Sequence, residues 1–303
     1  MPARFCLPSR SAPAASSRSA GALALAALLA CASGGAVAPA PPPPGPPPPP
    51  PTWKLVWSDE FNGPAGSQVD TTFWHYNVGD GCPNNCGWGN NEREYYTSDT
   101  ANIQQNGQGQ LQIVARVTQD TSLHCYYATT CHYTSAKITT QNKVLPYHGR
   151  VEARIKLAAG QGLWPAFWLL GQNITSVGWP TCGEMDIMEN KGSQTDRTSS
   201  AVHGPGYFGN TPFVHIDAPV TTTEYHLYAV EWDGNSIRYF VDSTQHYVVS
   251  RTAVNHYGNW VFDQPFFIIL NLAVGGNFDG NPQSDAIFPA TMLIDYVRVY
   301  SLQ

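Results

Sequence analysis

The sequence from Trp53 onward predicts an all-β fold, on three observations. This segment is about 250 residues long, which suits a single large β domain. The chain has 9 Trp, 15 Tyr and 12 Phe but only 13% charged residues, and its 27 Gly residues supply turns. Short β-rich runs recur at 111–117, 150–157, 225–232, 237–242, 265–272 and 293–300, and long helical periodicity is absent. Many strands separated by turn clusters indicate a sandwich or a barrel.

The first 32 residues are typical of an export signal. Three arginines precede the apolar run 20–30, which is too short to span a bilayer comfortably. Small residues at 30–32 fit a cleavage site. Residues 28–31 (LLAC) also resemble a bacterial lipobox, in which Cys31 would carry a lipid anchor. We therefore expect a secreted, extracellular protein, with a cell-envelope lipoprotein as the alternative.

Residues 33–52 are predicted to form a proline-rich linker. The tract 39–51 is proline apart from Ala40 and Gly45, so it favours an extended polyproline II helix that acts as a semi-rigid spacer. In an exported protein, such a spacer would hold the following domain, 53–303, away from a membrane or wall.

Charge and motif content exclude several classes of function. The formal net charge of −6 argues against a nucleic-acid partner, because phosphate binding demands a basic surface. No phosphate-binding glycine loop follows a predicted strand, and no His or Cys spacing is typical of a metal site.

The cysteines indicate an oxidising compartment. Cys82 lies close to Cys86 in the sequence, and Cys125 lies close to Cys131, so each pair could close a small disulfide loop. Cys182 is left over and is predicted to be a buried small residue rather than a nucleophile.

The segment 182–190 (CGEMDIMEN) carries the densest set of reactive side chains. Because side chains alternate along a strand, Glu184 and Asp186 are expected on one face, with the intervening apolar residues in the core. Glu189 is out of phase in a regular strand. A β-bulge near Met188 would return it to the carboxylate face, and bulges are common beside active sites.

Three carboxylates in a row suit glycoside hydrolysis. That reaction needs one carboxyl group as nucleophile or base and another as general acid. A third carboxylate between them would help raise the pKa of the acid. Two alternatives stand beside this interpretation: a calcium cluster, which also collects acids, and a solvated strand face.

Further sequence blocks surround the acid motif in a fixed order. They are 55–63 (LVWSDEFNG), 87–97 (GWGNNEREYYT), 149–156 (GRVEARIK), 160–171 (GQGLWPAFWLLG), 271–276 (NLAVGG) and 295–300 (DYVRVY). Together with the acid motif, the region from Trp53 to the C terminus resembles glycoside hydrolase family 16, and within it the laminarinase-like endo-β-1,3-glucanases. The resemblance implies a β-jelly-roll sandwich of two antiparallel sheets with a concave sugar cleft. It also implies retaining hydrolysis, with Glu184 as nucleophile, Glu189 as acid/base and Asp186 assisting between them.

Sugar binding is expected to involve tryptophans, whose flat faces stack on pyranose rings. Trp164 and Trp168 would share a face of an extended segment, and Trp179 precedes the acids. Core packing is the alternative for each of the three.

The resemblance also suggests polar substrate contacts. Glu152 and Arg154 match family positions that line the cleft beside the nucleophile, with a surface ion pair as the alternative. His203 resembles a laminarinase histidine that contacts substrate, or is a structural histidine. Asn91 would bond a sugar hydroxyl or only shape a turn.

No cofactor is expected for catalysis, but many family members carry a structural calcium. Glu60, the carbonyl of Gly109 and Asp295 stand where its oxygen ligands would fall.

The expected function is endo-acting hydrolysis of β-1,3-glucan, or of mixed β-1,3/1,4-glucan, by a monomer without a membrane span. A non-catalytic β-glucan-binding protein is the first alternative, although such proteins lose the catalytic acids. A family 16 enzyme that acts on galactan, or as a transglycosylase, is the second.

Overall fold

The computed structural model describes residues 52–209, 211–214 and 216–303. Within these ranges the chain forms seventeen strands and two four-residue α-helices. In chain order, the strands are β1 Trp53–Asp59, β2 His75–Tyr76, β3 Glu94–Tyr96, β4 Ile103–Gln105, β5 Leu111–Val117, β6 Tyr133–Ser135, β7 Lys137–Thr139, β8 Gly149–Lys156, β9 Leu163–Gly171, β10 Glu184–Glu189, β11 Arg197–His203, β12 Ile216–Pro219, β13 His226–Trp232, β14 Ser236–Val241, β15 Thr244–Ser250, β16 Phe266–Val274 and β17 Ala290–Leu302. The α-helices are α1 Ile174–Val177 and α2 Arg251–Val254, and short 3₁₀ turns occupy Cys86–Gly89 and Asp285–Ile287.

These strands form two sheets. The ten-stranded sheet has the order β15-β14-β13-β8-β17-β5-β6-β3, with β1 paired to β17 and β4 paired to β5. The seven-stranded sheet has the order β12-β11-β10-β9-β16-β7-β2. Every pairing between named strands is antiparallel except that of β3 with β6. The predicted sandwich of two antiparallel sheets is therefore confirmed.

The hydrophobic core lies between the two sheets. Alternate residues of β9 illustrate its construction, since Phe167 and Leu169 belong to the core whereas Trp168 does not. From the opposing sheet, β8 contributes Val151 and Ala153 to the same core. Full burial of one such large apolar side chain stabilises the fold by roughly 1.5–3 kcal/mol, so the many buried positions fix how the sheets stack.

A β-bulge interrupts β10. Asp186 pairs with Trp168 of β9, but the next pair is Met188 with Phe167, so one residue of β10 is extra. As a result Ile187 and Met188 both enter the core. The bulge predicted near Met188 is confirmed, and it returns Glu189 to the face that carries Glu184 and Asp186. We call this outer face of the seven-stranded sheet the carboxylate face.

Both expected disulfides are present, Cys82–Cys86 and Cys125–Cys131. Asp80 connects their loops, because its carboxylate accepts the backbone N–H of Cys82 at 3.1 Å and that of Tyr126 at 2.7 Å. Cys182 is a buried free thiol, as expected.

The expected export signal 1–32, the lipid anchor at Cys31 and nearly all of the linker 33–52 lie outside the described residues. They stay predictions, as does the boundary at Trp53. Within the part of the chain that the structure describes, no helix has the length and apolar character needed to cross a bilayer.

Truncating a core residue of β9 should weaken the fold strongly. Phe167 is fully buried, so Phe167→Ala should lower the free energy of unfolding by about 3–5 kcal/mol through lost burial and a residual cavity. Val248→Ala, at a site that is 51% exposed on β15, should stay within about 0.5 kcal/mol. Urea denaturation followed by tryptophan fluorescence measures both. Equal losses in the two variants would contradict the assigned core.

Candidate active site

Strand β10 presents three acids on the carboxylate face. Asp186 and Glu189 are only 4% and 7% exposed, and the Glu184 side chain is 16% exposed. Neighbouring strands on both sides, β9 and β11, hold β10 in register. The acids therefore project from a strand that is paired on both sides rather than from a loop.

Each glutamate receives a hydrogen bond from a tryptophan. The indole N–H of Trp179 donates to Oε2 of Glu184 at 3.0 Å. The indole N–H of Trp164 donates to Oε1 of Glu189 at 3.1 Å. Since the ring N–H can only donate, both bonds orient a carboxylate without supplying a positive charge.

Asp186 stands beside a histidine instead. Nε2 of His203 is 3.2 Å from Oδ2 of Asp186 and 3.9 Å from Oε1 of Glu184. The 3.2 Å approach lacks hydrogen-bond geometry, so the buried Oδ2 atom has no hydrogen-bond partner. His203 is at the end of β11, directly opposite Glu184 in the strand pairing.

The pKa values of all three acids are raised. Burial, and next to it the charge of Asp186, raises the pKa of Glu184 to about 8. Burial raises the pKa of Asp186 to about 7, and burial with the Asp186 charge raises that of Glu189 well above its ordinary value. The group therefore retains protons near neutral pH, which a general acid requires. The Trp179 N–H and the nearby His203 favour the charged form of Glu184. The corresponding groups for Glu189 are the Trp164 N–H and His203, which is farther from Glu189.

The predicted sugar-binding tryptophans all lie at this site. Trp164 stacks on Phe278 with ring centroids 4.7 Å apart. The Trp168 indole donates to Oδ1 of Asn271 at 2.8 Å. Trp179 is 48% exposed and meets Phe208 edge-on at 5.4 Å.

A cavity of about 250 Å³ adjoins Glu189. Its lining includes Lys191, Arg197 and Phe278. Arg197 is already paired with Asp217 at 3.2 Å, so the cavity offers polar groups without a strong net charge.

A buried polar cluster beside the carboxylate face escaped the sequence analysis. It consists of Glu92, Glu94, Tyr96, Lys137 and Asn271. The Tyr96 hydroxyl donates to Oε2 of Glu92 at 3.2 Å and accepts from Nδ2 of Asn271 at 3.2 Å. Burial lowers the pKa of Lys137, while burial and the Glu92 charge raise that of Glu94 well above its ordinary value.

Lys137 links this cluster to the tryptophans. Its Nζ atom lies 4.3 Å from the ring centroid of Trp88 and 5.1 Å from that of Trp168, within cation–π range. Glu92 and Glu94 are two positions apart in the block 87–97, and this spacing indicates that they share a face of a strand. Nothing in the sequence marked Lys137.

The expectation that Glu152 and Arg154 line the cleft is wrong. Both lie on β8 in the ten-stranded sheet, on the far side of the core from the carboxylate face. Glu152 accepts from Arg150 Nε at 2.8 Å, and Arg154 pairs with Asp295 at 2.6 Å. Alternation predicts which residues share a face but not which sheet the strand joins.

Asn91 lies on an exposed loop with a φ of 59°. Its Nδ2 atom donates to Oδ1 of Asn277 at 2.9 Å, so the side chain bridges two loops. That contact favours the turn-shaping alternative.

The predicted calcium ligands do not fit a cation. Nε and Nη2 of Arg298 each donate to one carboxylate oxygen of Glu60 at 2.9 Å. Asp295 is likewise held by Arg154, as described above. Because guanidinium groups already neutralise both carboxylates, the charge that would attract calcium to Glu60, Gly109 and Asp295 is reduced.

The chain is similar to known glycoside hydrolases. The family described as glycosyl hydrolases family 16 matches residues 88–298. The beta-glucanase of Rhodothermus marinus is 39% identical over 258 residues, covering 82% of this chain and 85% of that protein. Glucan endo-1,3-beta-glucosidase A1 of Niallia circulans is 36% identical over 268 residues, covering 82% of this chain but only 38% of the relative.

Among solved structures, the laminarinase catalytic domain of Thermotoga maritima MSB8 is similar, with a TM-score of 0.76 and 40% identity. The match covers 83% of this chain and 99% of that domain. This likeness confirms the β-jelly-roll architecture that the sequence resemblance implied.

Replacing Glu184 with glutamine should stabilise the fold near neutral pH. The folded-state pKa of Glu184 is about 8 against an ordinary 4.5, so the folded chain binds more protons than the unfolded chain between these values. The stability of the wild type therefore falls as the pH rises through that window. Glu184→Gln should unfold with a free energy higher by up to about 4 kcal/mol at pH 8, and equal to wild type at pH 4.

Calorimetry at both pH values measures this difference, where 1 kcal/mol shifts Tm by about 2–4 °C in a domain of this size. Glu224→Gln, at an exposed turn, serves as the matched control and should show no pH-dependent gain. A stabilisation of Glu184→Gln that is the same at pH 4 and pH 8 would refute the assigned protonation.

Proposed function

The chain belongs to glycosyl hydrolase family 16, and from this membership we propose that it is an endo-acting hydrolase of β-1,3-glucan. The observation that carries the proposal is the alignment of Glu184, Asp186 and Glu189 on one buried strand face. Two glutamates with an indole donor each, separated by a third acid, provide the pair of carboxyl groups that glycoside hydrolysis requires.

In the first step, ionised Glu184 attacks the anomeric carbon and forms a glycosyl–enzyme ester. The bond to the leaving oxygen breaks as protonated Glu189 donates its proton to that oxygen. In the second step, Glu189 removes a proton from water, whose oxygen attacks the anomeric carbon and releases Glu184. Two displacements at one carbon retain the anomeric configuration.

The surrounding groups support this division of roles. Trp179 and Trp164 hold the two carboxylates, so that little reorganisation is needed as charge moves. Asp186 contributes negative charge that keeps a proton on the acid when the substrate is absent. His203 sits on the side of Glu184 and Asp186, where a protonated imidazole would favour the ionised nucleophile.

The glucan substrate is proposed to lie across the carboxylate face. Trp168 and Trp179 offer apolar ring faces for the C–H faces of glucosyl units, and the cavity next to Glu189 would take a sugar on the leaving-group side. The β-1,3 linkage rests on the similarity to proteins named as laminarinases and endo-1,3-β-glucosidases. Catalysis in this scheme uses no metal or cofactor.

A purely glucan-binding role is not favoured, because binding alone does not require the three acids Glu184, Asp186 and Glu189, and all three are present. The two disulfides and the N-terminal sequence support secretion of the enzyme, which is proposed to act as a monomer. Lipidation at Cys31 is the alternative fate of the exported chain.

Removing the carboxylate of Glu184 should abolish hydrolysis. Glu184→Gln keeps size and polarity but cannot form the ester, so kcat/KM on laminarin should fall by on the order of 10⁴-fold or more. Reducing-end release on laminarin, with lichenan as the comparison substrate, measures the loss. Glu224→Gln should retain full activity. Substantial residual hydrolysis by correctly folded Glu184→Gln would overturn the role of Glu184.

Azide should rescue the two glutamate variants with opposite stereochemistry. In Glu184→Gly, azide takes the place of the nucleophile on an aryl β-laminarioligosaccharide and should yield an α-glycosyl azide. In Glu189→Gly, azide attacks the glycosyl–enzyme and should yield the β-glycosyl azide. Proton NMR identifies the anomers. The same anomer from both variants would show that the roles are misassigned.

A further inference from the structure

Three potential metal ligands converge at the centre of the carboxylate face. Oxygen atoms of Glu184 and Asp186 and a ring nitrogen of His203 lie within 4.8 Å of one another. We infer that these side chains form a binding site for a transition-metal dication such as Zn²⁺, and that the bound ion and the polysaccharide exclude each other. Metal binding at this site is a property separate from the proposed hydrolysis, and it can be measured without any assay of glucan cleavage.

Among the described residues, the facing atoms of the three side chains form no hydrogen bond to a group outside the trio of Glu184, Asp186 and His203. Trp179 occupies Oε2 of Glu184, which leaves Oε1 towards His203. Oδ2 of Asp186 is buried without a hydrogen-bond partner. A buried carboxylate oxygen without a hydrogen bond is unfavourable, and its one close polar neighbour is the His203 ring nitrogen, so a cation that coordinates both recovers the lost solvation.

The donor set selects zinc-like ions over calcium. One imidazole and two carboxylates match a three-ligand zinc site, with metal–ligand bonds of about 2.0–2.2 Å. The separations of 3.2 Å and 3.9 Å from His203 Nε2 are short enough for one ion to contact all three ligand atoms. Calcium would require six to eight oxygen ligands. Glu184 and His203 are partly exposed, at 16% and 14%, so an ion can reach the site from solvent.

The surroundings indicate reversible rather than structural binding. A tightly held zinc histidine usually donates its second ring N–H to a carboxylate or carbonyl. Nδ1 of His203 has no such partner. The ion should therefore exchange readily, and while bound it occupies the oxygen of Glu184 that faces the cleft.

Direct titration tests the site. Protein without a polyhistidine tag, stripped with EDTA and dialysed free of the chelator, is titrated with ZnCl₂ in a calorimeter. We expect one dominant site, with affinity reduced about tenfold or more in Asp186→Asn and His203→Ala. His132→Ala is the matched control, since it removes an exposed imidazole that also lies beside a carboxylate, at 2.9 Å from Asp285. It should leave the dominant site unchanged.

Two further measurements keep the test decisive if a variant is unstable. Cu²⁺ bound to the wild type should give an EPR spectrum with coupling to imidazole nitrogen, and this coupling should vanish in His203→Ala. A laminarioligosaccharide should displace Zn²⁺ from the folded Glu184→Asp variant, which retains a carboxylate. Unaltered Zn²⁺ affinity in both ligand variants, or simultaneous binding of Zn²⁺ and oligosaccharide, would overturn the inference. Neither result depends on whether the wild type hydrolyses glucan.

Discussion

The structure depends on keeping three carboxyl groups together, out of water, on one strand. Three negative charges in a buried row would repel one another and lose their hydration. The protein avoids that cost by retaining protons, as the raised pKa values of Glu184, Asp186 and Glu189 show. A site built in this way contains both a proton donor and a carboxylate near neutral pH, which is what acid catalysis with a nucleophile requires.

The fold supplies the rigidity that this arrangement needs. Met185, Ile187 and Met188 anchor the back of β10 in the core, so the strand cannot twist its acids away from one another. The bulge resolves a conflict between the period of a strand and the spacing of the acids. Without it, Glu189 would point into the apolar layer between the sheets.

Much of this could be predicted from the sequence, and the failures share a cause. Alternation within 182–190 predicts the shared face and even the bulge, because both follow from local geometry. The prediction that Glu152 lines the cleft was wrong because its strand, β8, belongs to the ten-stranded sheet. Local alternation cannot reveal which sheet a strand joins. Lys137 was missed for the same reason, since its cluster forms only when β7 packs beside β16 and the segment 87–97 closes over it. The calcium site is disfavoured because Arg298 binds Glu60, and these two residues are 238 positions apart in the chain, so no local pattern could reveal the contact.

The active-site trio lacks the arginine partners that neutralise the acids of the ten-stranded sheet. On the ten-stranded sheet, acids are neutralised by guanidinium groups, in the pairs Glu60–Arg298, Glu152–Arg150, Glu231–Arg150 and Asp295–Arg154. On the carboxylate face, within the described residues, the trio forms no ion pair with any arginine or lysine, and His203 is the basic side chain that contacts it. An arginine there would stabilise the carboxylates, but it would also lower their pKa values and remove the proton from the acid. Without an arginine or lysine partner the trio keeps its reactivity, and its oxygens stay open to the dication inferred above.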